Sequence, residues 1–301
     1  MRKEIVTVDR ENGVYENLPF AEYKAIAAVS STFLKRFRDV PASALIEKEP
    51  TSEMILGSAI HTWILQGQDQ FYSEYAILPE PPFKPGTDIP IHKNTNQWKE
   101  IVADFEAMNE GKVILPDHYD HVPTRDLLGN VEASLLAHPM AGAILRGSRR
   151  ELSLVWTDAD TGLKCKARID IDPSRRCIAE LKKCARPEMF RKEIERLNYD
   201  IQIAHYFDGA LACSIDVDTA LFIVACPDPE LGYPSAAGYF DPEWLDASRR
   251  EVHRLLGLVK ECRERDFYPR FKIPERIHSL NDLQPGDTME DYTLPPWRFQ
   301  S

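Results

Sequence analysis

The chain has 301 residues, 43% of them hydrophobic and 28% charged, with a formal net charge of −11. This composition supports a buried core and excludes a disordered or collagen-like protein. The negative balance excludes a protein that coats nucleic acid by charge alone. No apolar run is long enough to span a membrane, and residues 1–9 lack the apolar stretch of a signal peptide. The six cysteines show neither a CxxC pair nor a zinc spacing. Reduced thiols in a cytoplasmic protein are expected.

Residues 18–45 read as helical. Ser30, Ser31 or Thr32 would cap a helix carrying Phe33, Leu34 and Phe37, which Pro41 stops. Residues 52–65 form a second, apolar helix. Five prolines within 79–90, together with Gly86, mark an irregular surface insertion. Residues 97–109 and 131–145 read as further helices. Residues 151–157 predict a strand, and 158–162 a turn. Residues 164–172 then alternate, with Cys165, Ala167, Ile169 and Ile171 on one face and Lys164, Lys166, Arg168, Asp170 and Asp172 on the other. After a turn at 173–176, a third strand over 177–182 sets Glu180 and Lys182 on one face and Ala179 and Leu181 on the other.

A helix over 187–212 follows, with Pro187 in its first turn. Residues 219–226 suit a strand buried on both faces, and 233–240 another strand. Asp241-Pro242-Glu243 opens a long amphipathic helix with Trp244, Val252, Leu255, Leu256, Val259 and Cys262 on its apolar stripe. The proline-rich tail, 268–301, is expected to wrap the surface. Tight turns between the first three strands require antiparallel pairing. The expected fold is therefore α/β, a mixed sheet flanked by helices with an N-terminal helical region. It reads as a single domain: a helical part over 1–145, a core over 146–267 and the tail.

Charge is uneven along the chain. Residues 145–200 hold 14 Lys/Arg against 10 Asp/Glu. Such a local excess suits an anionic ligand, although ordinary fluctuation gives the same count. Within that segment stand Asp170, Glu180 and Lys182. Two carboxylates on neighbouring strands can converge on a hard cation, which polarises a phosphoryl oxygen and acidifies its bound water. An ammonium on the same face can hold that water or neutralise developing charge. Taken singly, the pieces are ordinary. Glu22 and Lys24 repeat the Glu-x-Lys spacing, and such pairs commonly form a solvated ion pair of little weight.

Asp170…Glu180-Leu181-Lys182 resembles the PD-(D/E)xK nuclease signature. Gln202 and Tyr206, four apart on one helical face, resemble the Gln-xxx-Tyr motif of its RecB-like branch. Gly57-Ser58-Ala59-Ile60-His61 resembles that branch's Gly-x-x-x-His motif, and Ser30 to Leu34 its Ser-x-x-x-Leu opening. The closing Leu294-Pro295-Pro296-Trp297 also fits. The ordered set is similar to the exodeoxyribonuclease VIII nuclease-domain family of phage recombination exonucleases, over about residues 15–297.

That resemblance implies one or two Mg²⁺ ions, or Mn²⁺, at the sheet edge. Asp170, Glu180 and the Leu181 carbonyl would be ligands, and His61 would reach the second ion. Lys182 would position the attacking water. Gln202 and Tyr206 would touch DNA or brace Lys182, and Glu151 would be an outer carboxylate. Lys183 stands where the family often has Thr or Ser, and could face a phosphate or solvent. Some relatives carry an iron–sulfur cluster. The cysteines here form no compact triplet near the C-terminus, so none is expected. The implied activity is digestion of linear double-stranded DNA from 5′ ends by a ring-like homo-oligomer. The remaining strand would pass to a single-strand annealing recombinase. The residues leave open an endonuclease, a single-strand nuclease, or a catalytically silent relative that binds DNA or a recombinase.

Overall fold

The computed structural model describes residues 8–115, 122–172 and 176–288. The 294–297 motif and most of the turn after residue 172 lie outside them. In chain order the elements are β1 (Gly13–Tyr15), α1 (Phe20–Ala25), β2 (Val29–Ser30), α2 (Ser31–Asp39), α3 (Ser52–Leu65), α4 (Gln68–Glu74), β3 (Tyr75–Ile77), α5 (Asn96–Met108), β4 (Val113–Leu115), α6 (Thr124–Ala137) and α7 (Pro139–Leu145). They continue with β5 (Arg149–Thr157), β6 (Lys164–Asp172), β7 (Cys177–Lys183), α8 (Phe190–Arg196), α9 (Tyr199–Ala212), β8 (Thr219–Ala225), β9 (Ser235–Tyr239) and α10 (Pro242–Arg265).

The main sheet runs β1-β5-β6-β7-β8-β9, with β2 added parallel to β6. The joined strands β5, β6 and β7 are antiparallel, whereas β8 returns parallel to β7 after α8 and α9. On one face α2, α9 and α10 cover Leu152, Leu154, Cys165, Ala167, Ile169, Ile178 and Phe222. On the other, α3, α6 and α7 cover Ala179, Leu181, Leu221 and Ile223. The remaining part of that second face, at Val155, is covered by Leu18, Tyr23 and Ile26. The result is an α/β/α sandwich whose second face has two separate covers.

Several expected helices are broken, each for a local reason. In 131–145 the break falls at Pro139, which pushes His138 into extended backbone; the His138 ring then accepts the Ala141 amide. In 187–212 it falls at Asn198, in the left-handed conformation at φ 52°. Its side chain accepts from Arg38 at 3.0 Å and donates to Asp39 at 2.9 Å. Within 18–45, Ser30 is extended because β2 joins the sheet, and its hydroxyl caps α2 by accepting the Phe33 amide. The proline-rich insertion is more ordered than expected. Phe83 and Pro90 form a β-bridge, and Lys84 donates to the Ile89 carbonyl at 2.8 Å. The tail does not only wrap the surface, since Ile273, Ile277 and Leu280 are buried in the core. Among the described residues no helix is long and apolar enough to cross a membrane.

The β6 alternation also fails at one point. Cys165, Ala167 and Ile169 pack under α9 and α10, but Ile171 packs on the opposite side with Ala179 and Leu181. The β5–β6 register misses its rung at Glu151 and Asp170. Glu151 there has φ 55°, a left-handed conformation in mid-strand. Pairing of β6 with β7 is confined to Ile171 and Ala179. Both strands are distorted at the level where the acidic side chains sit.

Candidate metal centre

Three elements bring three side chains together. His61 comes from α3, an apolar helix that Thr51 caps by accepting the Met54 amide. Glu151 comes from the kink in β5, and Asp170 from the end of the β6–β7 pairing. Their ligand atoms all lie within 4.8 Å of one another. His61 Nε2 is 2.8 Å from Asp170 Oδ2, and its Nδ1 is 3.4 Å from Glu151 Oε1. Asp170 Oδ2 also accepts the Leu181 amide at 2.9 Å. A side chain thus replaces a strand acceptor, which is why β6 and β7 part here. Desolvation opposes a charge on His61, but Asp170 and Glu151 prevail and raise it to about 10. Burial likewise opposes ionisation of Asp170, and the His61 cation overcomes it, holding the carboxyl below its usual range.

Glu180 is wholly buried and stands outside that group of three. Its Oε2 accepts from Lys182 at 2.7 Å and from Gln202 at 3.0 Å. Its Oε1 is buried with no hydrogen-bond partner. Burial, reinforced by the Asp170 charge, pushes the Glu180 carboxyl up. The two acids expected to share a cation are therefore held by different neighbours, Asp170 by His61 and Glu180 by Lys182 and Gln202. Glu151, expected only as an outer carboxylate, sits in the inner group.

The remaining expected residues fall around these. Gln202 also donates to the Tyr206 hydroxyl at 3.2 Å, and Ser31 donates to the same hydroxyl at 3.4 Å. Gln202 thus braces Glu180 rather than Lys182. Lys183 pairs with Glu53 at the edge of α3. The contact made by Leu181 is through its amide. Lys35, Tyr199 and Arg168 were not singled out from the sequence. Lys35 donates to Gln202 at 3.5 Å, and both Lys35 and Lys182 lie over the Tyr199 ring, at 4.7 and 5.0 Å. Burial and the nearby Lys182 lower the Lys35 ammonium to about 8. A cation one position after Leu34 on a Ser-capped helix was the available signal. Much of the local basic excess is spent internally. Arg150 caps the carbonyls of Ile64 and Leu145, and Lys166 those of Tyr23, Lys24 and Ile26.

A mixed sheet between helical layers, with acidic groups and a lysine where the first strands part, defines a PD-(D/E)xK-like domain. The chain belongs to the family described as PDDEXK-like domain of unknown function (DUF3799), whose model matches residues 30–272. No curated protein matches the chain. Among solved structures, it is similar to a Eubacterium rectale protein provisionally described as an exonuclease. They share 15% identity and a TM-score of 0.44, over 81% of this chain and 84% of that one. It is also similar to a phage-related exonuclease from Haemophilus somnus, at 12% identity and a TM-score of 0.31, over 79% of this chain and 96% of that one.

The donor set can be tested against a metal from the groups themselves. Carboxylates with one imidazole suit a hard or borderline divalent ion, Mg²⁺ or Mn²⁺. An orphaned buried oxygen on Glu180 is costly unless a cation or donor meets it. The residues therefore fit such an ion, with Glu151, Asp170 and His61 as the side chains that would hold it, the ion displacing the proton that His61 shares with the two carboxylates.

Proposed function

We propose that this protein is a divalent-metal-dependent nuclease that hydrolyses DNA phosphodiester bonds, acting on linear duplex ends. One observation carries the reading. A fully buried Glu180 leaves one oxygen unpartnered while Lys182 holds the other, beside the His61, Glu151 and Asp170 group. When bound, the ion would polarise a phosphoryl oxygen and acidify a water. The chain's own residues supply the rest. His61, Glu151 and Asp170 would hold that ion for the substrate phosphate. Lys182, fixed by Glu180, holds the attacking water and offsets negative charge as the water oxygen joins phosphorus. Gln202 keeps Glu180 turned toward Lys182. As it bonds to phosphorus the water gives up a proton to solvent, the bond from phosphorus to the leaving sugar oxygen breaks, and that oxygen takes up a proton from solvent.

The sequence resemblance to exodeoxyribonuclease VIII-type domains supports ends over internal sites, a 5′ to 3′ direction and a role in recombination. The same reading includes a homo-oligomer and a single-strand annealing partner, and sedimentation giving only monomer at micromolar concentration would remove the oligomer. End-labelled linear duplex is expected to release product from one terminus in Mg²⁺. EDTA should abolish release, and Lys182→Ala should slow it by about 10²-fold or more. Degradation of covalently closed circular duplex would sink the exonuclease reading, and wild-type inactivity on every DNA would sink the nuclease reading.

A further inference from the structure

One face of β6 carries a row of cations leading to the metal centre, and each of them holds the N-terminal segment. Lys164 pairs with Asp9. Lys166 donates to the carbonyls of Tyr23, Lys24 and Ile26 at 2.8–3.0 Å, gripping the C-terminal end of α1. Arg168 is the last before Asp170. Its Nη1 donates to the Leu18 carbonyl at 2.7 Å, and its guanidinium lies over the Phe20 and Tyr23 rings at 5.7 and 6.0 Å. Its Nε donates to Glu151, whose other oxygen faces His61. Side-chain exposure is 10% for Arg168 and 13% for Glu151, so the pair is sheltered from solvent screening.

Two observations point the same way. Glu151 occupies a left-handed conformation that a non-glycine residue adopts in mid-strand only when its surroundings impose it. The carboxylate is the part so imposed, gripped by Arg168 on one side and facing His61 on the other. Residues 18–26, which fix Arg168, lie outside the 30–272 region matched to the family. A planar guanidinium joined to one carboxylate, one carbonyl, the Ser153 hydroxyl and two rings has little freedom left, which suits holding a group rather than binding a ligand.

We propose that Arg168 is a positioning residue of the metal centre. It fixes the Glu151 carboxylate against His61, and the α1 segment anchors it in doing so. The inference rests on the metal-centre reading above. It assigns the segment before the family region a part in metal binding, through a chain of contacts from Leu18 to Arg168 to Glu151.

The test is a double-mutant cycle on the full chain, reading Mn²⁺ affinity by calorimetry and melting temperature in metal-free buffer. The variants are Arg168→Met, Glu151→Gly and both together. Arg168→Met keeps the apolar stem between the rings and removes the fork. Mn²⁺ binding is expected to weaken about 10–100-fold. Glu151→Gly should weaken it at least as much; glycine accepts the left-handed backbone, but the sheltered Arg168 guanidinium loses its carboxylate, so melting is expected to fall. Since Arg168 acts through Glu151, the double variant should bind like Glu151→Gly alone. Additive losses, or wild-type affinity in folded Arg168→Met, would overturn the proposal. If Arg168→Met does not fold, Arg168→Lys takes its place in the cycle, with a smaller loss expected. Mn²⁺ binding without cleavage of any DNA would sink the nuclease reading and leave the cycle to decide this one. Failure of the wild type to bind millimolar Mn²⁺ would overturn both.

Discussion

Gly57, which opens the Gly-x-x-x-His spacing, is not required by lack of room. A Cβ there would meet the Lys183 side chain at 3.9 Å, an ordinary contact. A glycine inside a helix costs roughly 0.5–1 kcal/mol relative to alanine. Gly57→Ala should therefore raise stability by about that amount and leave Mn²⁺ affinity unchanged, as thermal denaturation and calorimetry would show. Lost DNA cleavage in a stabilised, metal-binding variant would mean that substrate backbone approaches this turn. His205 gives a second test. It is fully buried against Trp156, with Nε2 3.2 Å from the Lys166 carbonyl. Burial lowers its pKa from 6.5 to about 4. The unfolded chain takes up a proton below about pH 6.5 while the folded one does not. The stability His205 contributes should thus be complete above that pH and fall by roughly 3 kcal/mol as pH drops toward 4, against the opposite trend of the raised Glu180 carboxyl. Urea titrations of the wild type and His205→Gln across this range should differ by that slope. An identical slope in the variant would remove His205 as its cause.

Helix α9 carries Gln202 and Tyr206 to the site and rests on β5 through a close approach at Gly209. A Cβ there would lie 2.6 Å from the Trp156 ring, which is itself buried. Trp156 has little room to yield. Gly209→Ala should cost roughly 1–3 kcal/mol in chemical denaturation by overpacking. Because α9 would be lifted from the sheet, the brace from Gln202 to Glu180 should loosen as well. A neutral effect on stability would show that α9 can slide. The elements were readable where local pattern decided them. Residues 52–65 matched α3 because its run of apolar residues suffices, and α10 opens at Asp241 as expected, where the Asp241 side chain accepts the Trp244 amide. The strands β1 to β4 were not readable, since each has only two or three residues and pairs with a distant segment.

Across the whole molecule the −11 net charge must be reconciled with the polyanionic substrate proposed above. Few of the cations in the basic stretch are free, but Arg186, Arg191 and Lys192 are exposed on the segment that follows Lys182 and Lys183. They form no ion pair among the described residues. If this segment carries a DNA strand away from the centre, Arg191→Ala with Lys192→Ala should raise KM several-fold and leave kcat unchanged. The salt dependence of binding should also flatten, by about one unit of slope for each phosphate no longer neutralised. An unchanged salt slope would remove these cations from the interface.

The sequence by itself determined the mixed α/β core and the shared face of Glu180 and Lys182. Period-two alternation and short turns leave few other pairings, and the motif spacing pointed to Asp170 and His61 as well. Only the tertiary structure decided that Glu151 joins His61 and Asp170 and that Glu180 turns to Gln202. The first goes with a left-handed kink in β5 and with Arg168, which contacts both Glu151 and Leu18, 150 residues away in sequence; the second goes with α9 packing beside β7. A backbone reversal at one residue leaves no trace in hydrophobic periodicity. A contact between remote segments is fixed by packing, which no local pattern encodes.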